Sequence, residues 1–271
     1  MKLHNIKQRW EAGQTVLNGW LSIGNTFTAE IIAEQGYDAV TIDLQHGFVG
    51  YEEAKQMLQA MRASGVAPMV RVPWLEPGII MKALDAGAWG IICPMVSTAE
   101  QARALVSCVR YPPAGSRSFG PTRVTISAGQ DYGQHADQHV VCFAMIETAE
   151  AVENIEAIVA TPGLDGIYIG PADLTLGLTG RKYRTGFDRD EPDIVAAIKH
   201  VLDAAHRAGK KAGLHNGTAA YAAKAAEWGF DLVTVSNDVQ LLRTAAAASV
   251  QQFRELNDGQ RAERPAQSGG Y

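Results

Sequence analysis

The chain has 271 residues, 46% of them hydrophobic and 20% charged, and its formal net charge is −5. This length is enough for one large domain, and α/β barrels commonly have it. Because no long basic run accompanies the acidic balance, nucleic acid is not an expected partner.

The cysteines and the N-terminus indicate the cellular compartment. Cys93, Cys108 and Cys142 form no CxxC pair, and two of them lie in apolar strand-like runs, which is typical of buried thiols in a reducing compartment. The N-terminus lacks the apolar core of a signal peptide. No stretch approaches the roughly 20 apolar residues of a membrane span. We therefore expect a cytoplasmic protein without a membrane partner.

Eight short apolar strands alternate with helical patterns, after a lead-in helix over residues 3–12. The predicted strands are Val16–Ile23, Ala39–Leu44, Pro68–Val72, Gly90–Val96, Val141–Ile146, Gly166–Ile169, Lys211–Leu214 and Leu232–Val235. They do not alternate apolar with polar residues, as expected when helices cover both faces of a parallel sheet. The predicted fold class is α/β, a (β/α)₈ TIM barrel. A doubly wound open sheet is the alternative, but the first strand is not followed by a GxGxxG turn.

Helical patterns fill the connections between the strands. They are predicted over Thr28–Gln35, Tyr51–Ala63, Pro77–Ala86, Thr98–Val109, Pro192–Ala208, Thr218–Trp228 and Val239–Leu256, with a further helix after Thr148. We expect a single barrel domain over residues 1–256. Residues 257–271 lack apolar periodicity and are expected to form a disordered tail.

Two segments, 112–139 and 177–191, are longer than ordinary connections. The second follows the sixth strand and carries Arg181, Lys182 and Arg184. On the active face of a barrel this loop could close over a substrate. The alternative is an ordinary solvated loop.

Two carboxylates end neighbouring strands of the predicted barrel. Glu147 follows the fifth strand, and Asp173 follows the sixth after a Gly-Pro-Ala turn. Parallel neighbours end on the same side, so the two side chains should emerge beside each other. Two hard oxygen ligands with room for water suit Mg²⁺ or Mn²⁺. The alternative is a helix-capping acid and a turn acid.

Further polar residues follow the ends of other strands, where barrel enzymes place their chemistry. Asp43 and His46 form a pair in which the carboxylate could orient the imidazole and raise its basicity; a simple Asx turn is the alternative. Arg71 needs an anion, either a substrate oxygen or an internal partner such as Asp43 or Asp85. His215 and Trp20 also lie at or near the ends of predicted strands. The alternative for His215 is a core histidine, and the alternative for Trp20 is a packing residue.

The absence of other motifs narrows the chemistry. No lysine ends a predicted strand, which argues against a Schiff base, and neither a GxSxG elbow nor a Walker loop is present. A metal, a base and an arginine together suit removal of a proton beside a carbonyl group, with the resulting enolate held electrostatically.

Several motifs in order resemble the HpcH/HpaI aldolase family, metal-dependent class II pyruvate aldolases of the phosphoenolpyruvate/pyruvate barrel superfamily. They are DLQHG from Asp43, Arg71-Val72-Pro73, GAWGIICPMV from Gly87, YPPAGSR from Tyr111, Ile146-Glu147-Thr148 and GPADL from Gly170. The resemblance runs from about Leu17 to Leu256.

The resemblance implies a role for each matched residue. Glu147 and Asp173 would bind the metal, Mg²⁺ or Mn²⁺ with Co²⁺, Ni²⁺ or Zn²⁺ as alternatives. His46 would be the base, oriented by Asp43, and Asp85 would reach the site of a neighbouring subunit. The expected substrate contacts are Arg71, Trp20, Gly170, Pro171, Ala172 and Asp173. The family further implies a homohexamer, a trimer of dimers, with the last helix exchanged between subunits.

The expected reaction joins a 2-oxo acid donor, pyruvate or hydroxypyruvate, reversibly to an aldehyde acceptor. An acyl-CoA lyase or hydrolase and a non-catalytic 2-oxo acid binder are the alternatives. Four residues depart from the family pattern: Gln45 stands where many relatives have Glu, Met145 where some have Gln, and the pair His215-Asn216 is unusually polar. We interpret them as differences in acceptor specificity.

Overall fold

The computed structural model describes residues 6–263, with side chains as far as residue 257. Eight parallel strands close into a barrel in which each strand pairs with the next along the chain and the last pairs with the first. The strands are β1 (Val16–Leu21), β2 (Ala39–Asp43), β3 (Ala67–Arg71), β4 (Gly90–Cys93), β5 (Val141–Ile146), β6 (Gly166–Ile169), β7 (Lys211–Asn216) and β8 (Leu232–Val235). The predicted TIM barrel is confirmed, and the open-sheet alternative is excluded.

The helices lie around the barrel in the order expected for βα units. They are α1 (Ile6–Glu11), α2 (Thr26–Ala33), α3 (Tyr51–Ala60), α4 (Pro77–Asp85), α5 (Ala99–Val109), α6 (Arg123–Ala128), α7 (Tyr132–His139), α8 (Ala149–Glu153), α9 (Ile155–Val159), α10 (Pro171–Thr179), α11 (Pro192–Arg207), α12 (Ala219–Glu227) and α13 (Asp238–Glu263). Side-chain caps begin several of them: Asn25, Thr98, Thr148 and Thr218 each accept a backbone N–H of the first turn, as expected of these residue types.

The connections differ from the prediction in three places. The segment 112–139 contains α6 and α7. The helix predicted after Thr148 is divided between α8 and α9 at Asn154, whose side-chain amide donates to the carbonyl of Ser97 at 2.9 Å. The third difference is α10, which begins where a turn was expected. Pro171 at its first position suits a helix start because its φ is fixed and it has no N–H to satisfy.

The last helix extends beyond its predicted end. α13 continues past Leu256 to Glu263, so the first seven residues of the predicted tail, 257–263, are helical. The remainder, 264–271, and residues 3–5 of the lead-in helix lie outside the described residues, and the predicted disorder of the tail stays a prediction. Within residues 6–263 no helix is long and apolar enough to cross a lipid bilayer.

The barrel interior is filled by large side chains at alternate strand positions, a period that parallel barrel strands impose. Trp20, Met69, Phe143 and Tyr168 are all buried there. Gly213 on β7 makes room for one of them, because a Cβ atom at this position would lie 2.7 Å from the Tyr168 ring. A second and larger apolar layer lies between the strands and the helices. The rigid barrel positions the residues at its rim.

Candidate active site

A cavity of about 430 Å³ opens at the carboxyl ends of the strands. Its walls come from β1, β2, β3, β5 and β7, from segments that follow β1, β2, β6 and β8, and from the first turns of α10 and α13. The lining residues are Trp20, Ser22, Asp43, His46, Arg71, Met145, Gly170, Ala172, Asp173, Phe187, His215, Asn237, Val239, Gln240 and Arg243. Most of the residues singled out from the sequence therefore share one cavity.

The Arg71 and Asp43 side chains form a buried two-point ion pair. They are register partners on β3 and β2, so their side chains project from adjacent positions on the same face. Arg71 donates through Nε to Oδ1 at 2.8 Å and through Nη2 to Oδ2 at 2.6 Å. Parallel bonds of this kind are among the strongest in proteins. They leave the Nη1 donors of Arg71 for another acceptor.

The surroundings of Asp43 keep it ionised. Burial alone would raise its pKa, but the bonds to Arg71 and two backbone N–H groups outweigh burial and lower the pKa below its ordinary value. Trp20 adds a donor, with its indole Nε1 3.3 Å from Oδ2. The same indole ring packs under the guanidinium of Arg71, whose Cζ lies 4.8 Å from the ring centroid. Trp20 therefore supports the ion pair as well as lining the cavity.

His46 is positioned through the backbone. Asp43 Oδ1 accepts the backbone N–H groups of Gln45 at 3.0 Å and of His46 at 3.3 Å. This is an Asx-type turn, and the carboxylate bonds to Arg71 rather than to the imidazole of His46. The expected orientation of the ring by Asp43 is therefore replaced by positioning of the turn that carries it. The His46 side chain is exposed and lines the cavity.

Glu147 is a buried carboxylate with one oxygen left without a protein partner. Its Oε1 accepts the backbone N–H of Met95 at 2.8 Å, and its Oε2 is buried with no hydrogen bond to any residue that the structure describes. Burial, followed by the charge of Asp173, raises the pKa of Glu147 to about 7. Met95 has a φ of 56°, a left-handed conformation that costs energy for a non-glycine residue and marks functional sites.

Gly170 and the start of α10 bring Asp173 to the same place. A Cβ atom on Gly170 would lie 2.5 Å from Glu147 Oε2, so only glycine allows this close approach. Asp173 lies in the first turn of α10 and is exposed to the cavity. The first intrahelical bond of α10 is made by the N–H of Leu174, which leaves the N–H groups of Ala172 and Asp173 free. Such a helix start attracts anions.

The two carboxylates fit a hard divalent cation. The orphaned Oε2 of Glu147 is the kind of oxygen that a cation would satisfy, and Asp173 supplies a second. In the part of the chain that is described, no group of three or more His, Cys, Asp or Glu side chains could hold a metal. Mg²⁺ keeps several waters and needs only one or two carboxylates, whereas catalytic Zn²⁺ takes three protein ligands. The donor set thus favours Mg²⁺ or Mn²⁺.

Asp85 lies apart from this cavity. It ends α4, at the opposite end of its βα unit from Arg71, and its carboxylate pairs with Arg117 at 2.6 Å. Within one chain the structure therefore does not bring Asp85 together with the other predicted site residues.

Other cavity residues were less apparent from the sequence. Phe187, from the predicted covering loop, packs against His215 at a tilt, with 4.4 Å between ring centroids. The loop is attached to the end of β7 by Asp188, which accepts from Gly217 N and Thr218 Oγ1, both at 2.7 Å. Arg243 of α13 also lines the cavity. Its helix was predicted from apolar periodicity, which carries no signal for a site.

The departures from the family pattern lie close to the site. The Oε1 of Gln45 is buried and lacks a hydrogen bond, and Met145 lines the cavity beside Gly170. His215 is buried, and its Nδ1 is 2.9 Å from the hydroxyl of Tyr168.

Comparison with known proteins gives a consistent result. The sequence model of the HpcH/HpaI aldolase/citrate lyase family matches residues 17–245. A hydroxypyruvate/pyruvate aldolase of Rhizorhabdus wittichii is 41% identical, over 94% of this chain and all of that protein. A 5-keto-4-deoxy-D-glucarate aldolase of Shigella sonnei is 32% identical, over 93% of this chain and 97% of that protein. The solved structure of a protein of this family from Burkholderia cenocepacia is similar, with a TM-score of 0.84 and 33% identity. The match covers 93% of this chain and 99% of that one.

The raised pKa of Glu147 should make the metal-free protein less stable as pH rises. Between about pH 5 and pH 7 the folded protein keeps a proton on Glu147 that the unfolded chain has released. The free energy of unfolding should therefore decrease as pH rises through this interval. Above the interval Glu147 should no longer contribute to the pH dependence. Urea unfolding in the presence of a chelator, at a series of pH values, measures the slope.

Glu147→Gln should flatten that slope, whereas Glu227→Gln, at an exposed position, should leave it unchanged. Equal slopes for the wild type and Glu147→Gln would contradict the raised pKa.

Proposed function

The chain belongs to the HpcH/HpaI aldolase/citrate lyase family and is an aldolase, and on that premise we propose how its residues enolise a 2-oxo acid and join it to an aldehyde. The donor is pyruvate or hydroxypyruvate, as in the name of the Rhizorhabdus relative. The observation that carries the residue assignment is the orphaned carboxylate oxygen of Glu147, which lies against Gly170 and near Asp173, two residues that line the cavity of the Arg71–Asp43 pair.

The start of α10 binds the carboxylate of the donor. The free N–H groups of Ala172 and Asp173 point out of the helix start, and the helix dipole adds attraction for a negative charge. Gly170 and Pro171 form the approach to these groups, and Gly170 has no side chain to obstruct it. The carboxylate would thus be fixed at one end of the cavity.

Arg71 binds the keto oxygen of the donor. Its Nε and Nη2 are occupied by Asp43, so the guanidinium is held in one orientation with Nη1 available. The keto oxygen gains negative charge as the enolate forms, and a preorganised donor stabilises that charge without reorganising. Asp43 is the positioning residue for this contact.

Glu147 and Asp173 would hold a divalent cation, for which Mg²⁺ and Mn²⁺ fit the two carboxylates best. When bound, the cation supplies a Lewis acid that polarises the keto group. The protein's own contribution is to hold the Glu147 carboxylate by the N–H of Met95 and to leave its other oxygen free.

His46 is the proton-transfer group. It is the exposed histidine of the cavity, carried by the turn that Asp43 stabilises. As a base it takes a proton from C3 of the donor and leaves the enolate. The enolate carbon then bonds to the carbonyl carbon of the aldehyde, whose oxygen takes up a proton. In the reverse direction the same groups cleave a 4-hydroxy-2-oxo acid.

The acceptor would enter past the loop of residues 180–191, where Phe187 lines the cavity. Arg181, Lys182 and Arg184 lie on this loop, but they are not in the cavity wall, and Lys182 pairs with Asp193 at 3.2 Å. This arrangement gives no specific support to the acyl-CoA alternative, and the family's aldolases argue against a mere 2-oxo acid binder.

Assembly into a homohexamer, a trimer of dimers, is part of the proposal. Apolar side chains are exposed along α13, among them Leu242, Val250, Phe253 and Leu256, as expected of a helix that is covered by another subunit. Asp85 would then contribute to a neighbouring site, as the family implies. A monomer in analytical ultracentrifugation would contradict this arrangement.

Solvent exchange of the donor's C3 protons tests the proposed reaction without an acceptor. In D₂O, the protein with Mg²⁺ or Mn²⁺ should exchange the methyl protons of pyruvate, as followed by NMR. Chelation should abolish exchange, and Glu147→Gln and Asp173→Asn should each lose it, because either change leaves too few ligands for the cation. Full exchange after rigorous chelation would contradict the metal assignment.

Replacement of His46 tests the base. His46→Ala should slow C3 exchange about 10²- to 10⁴-fold, the usual contribution of general acid–base catalysis. Binding of Mn²⁺, measured by calorimetry, should remain, because His46 is not among the proposed ligands. Exchange at the wild-type rate would remove His46 from this role.

Arg71→Lys separates catalysis from scaffold support. Lysine keeps the positive charge but loses the planar fork, so kcat should decrease by about two orders of magnitude or more, as for the loss of one oxyanion donor. The melting temperature should also decrease, because Asp43 loses its two-point partner. A lowered melting temperature with near-normal kcat would make Arg71 a scaffold residue only.

A further inference from the structure

A chain of buried polar side chains crosses the barrel interior and ends at the cavity. Thr41 is 3.0 Å from Asn18, Asn18 is 2.9 Å from Thr234, Thr234 is 2.7 Å from Tyr168, and Tyr168 is 2.9 Å from Nδ1 of His215. All five side chains are at most 5% exposed. A barrel interior is normally packed with apolar side chains. The proposed mechanism gives no role to this hydrogen-bonded series of side chains.

Complete hydrogen bonding allows only one direction along this chain. The Thr41 hydroxyl donates to the amide oxygen of Asn18, and the Asn18 amide nitrogen donates to Thr234. The hydroxyl proton of Thr234 then has Tyr168 as its acceptor, and the hydroxyl proton of Tyr168 has Nδ1 of His215. If Tyr168 instead donated to Thr234, the hydroxyl proton of Thr234 would have no acceptor among the described residues, which is costly at a buried position.

This direction defines the tautomer of His215. Burial, with the nearby Arg71 charge, lowers the pKa of His215 to about 3, so the ring is neutral at physiological pH and carries a single N–H. Because Nδ1 accepts from Tyr168, that proton is on Nε2. No partner for Nε2 is found among the described side chains, and His215 lines the cavity. The cavity wall therefore has a fixed neutral donor.

The His215 donor and the Arg71 guanidinium both pack against the Trp20 ring. His215 packs edge-on against the Trp20 ring with 4.7 Å between centroids, and the Arg71 guanidinium lies 4.8 Å from the centroid of the same ring. Phe187 also contacts His215, with 4.4 Å between ring centroids. A keto oxygen at Arg71 and an oxygen on the adjacent carbon would thus be next to the two donors. In hydroxypyruvate that adjacent carbon carries a hydroxyl group, and in pyruvate it carries only hydrogen.

We propose that the Nε2–H of His215 binds the 3-hydroxyl oxygen of the donor and makes the enzyme prefer hydroxylated 2-oxo acids to pyruvate. This inference rests on the proposed function. Tyr168 is the positioning residue that holds the donor tautomer, and Gly213 makes room for its ring. A site that offers a hydrogen bond to a substrate hydroxyl discriminates against the analogue without it, because the donor is then unsatisfied.

C3 proton exchange of the two donors, each measured alone with Mn²⁺, tests the preference. His215→Phe keeps an aromatic ring and loses the N–H, so the ratio of kcat/KM for hydroxypyruvate to that for pyruvate should decrease by about 2- to 10-fold, the range that one neutral hydrogen bond supplies. His215→Gln, which keeps an N–H donor, should retain more of the ratio. His200→Phe, at an exposed position on α11, is the matched control and should not change it.

The outcomes separate the two proposals. Exchange of neither donor by the wild type would overturn the proposed function. Exchange of both donors with an unchanged ratio in His215→Phe would overturn this inference and leave the proposed function standing. A change confined to the rate of addition to aldehydes, with the exchange ratio unaltered, would mean that His215 contacts the acceptor. That result would also overturn this inference.

The ¹⁵N NMR signals of His215 test the tautomer independently of activity. In the wild type they should show Nε2 protonated and Nδ1 unprotonated. Tyr168→Phe removes the hydroxyl that fixes this state, so the two tautomers should mix and the hydroxypyruvate-to-pyruvate ratio should decrease in the same direction as in His215→Phe. A wild-type spectrum with the proton on Nδ1 would overturn the inference. So would a Tyr168→Phe spectrum and exchange ratio identical to those of the wild type.

Discussion

The ion pair between Asp43 and Arg71 is the interaction on which the rest of the cavity depends. Neither charge could remain buried alone, because an unpaired ion at such a site is strongly destabilising. Their adjacent register on β2 and β3 makes the two-point geometry available without distortion. The remaining acceptor capacity of Asp43 then holds the turn of His46 and the Trp20 indole. One carboxylate thus positions the His46 turn, the Trp20 ring and the Arg71 guanidinium.

Unlike Asp43, Glu147 is incompletely paired with the side chains and backbone around it. Among the described residues, its second oxygen is buried without a hydrogen bond, and a left-handed Met95 supplies the one backbone donor to the first. Both features reduce stability in the metal-free protein, and such features concentrate at functional sites. Gly170 brings the α10 start against this oxygen because it has no side chain. The unpaired oxygen of Glu147 is therefore of the kind that a bound cation would satisfy.

The barrel interior is more polar than packing alone requires. A hydrogen-bonded chain from Thr41 to His215 replaces part of the usual apolar filling, and a fully satisfied chain of this kind makes one arrangement much more favourable than the others. Its consequence at the rim is a neutral histidine with a defined proton position. This series of hydrogen bonds connects the barrel interior to His215 in the cavity wall.

Local patterns in the sequence determined the strand order, the barrel and most of the cavity residues, because apolar runs and the positions that follow them are properties of short segments. Even the bounds of β5, β6 and β8 follow from them. The tertiary structure decided which partners the charged groups take. The sequence left Asp43 free to pair with either His46 or Arg71, and only the register of β2 against β3 selects the guanidinium. Likewise, the close approach of Gly170 to Glu147 and the direction of the buried polar chain depend on contacts between segments distant in sequence, which no local pattern encodes.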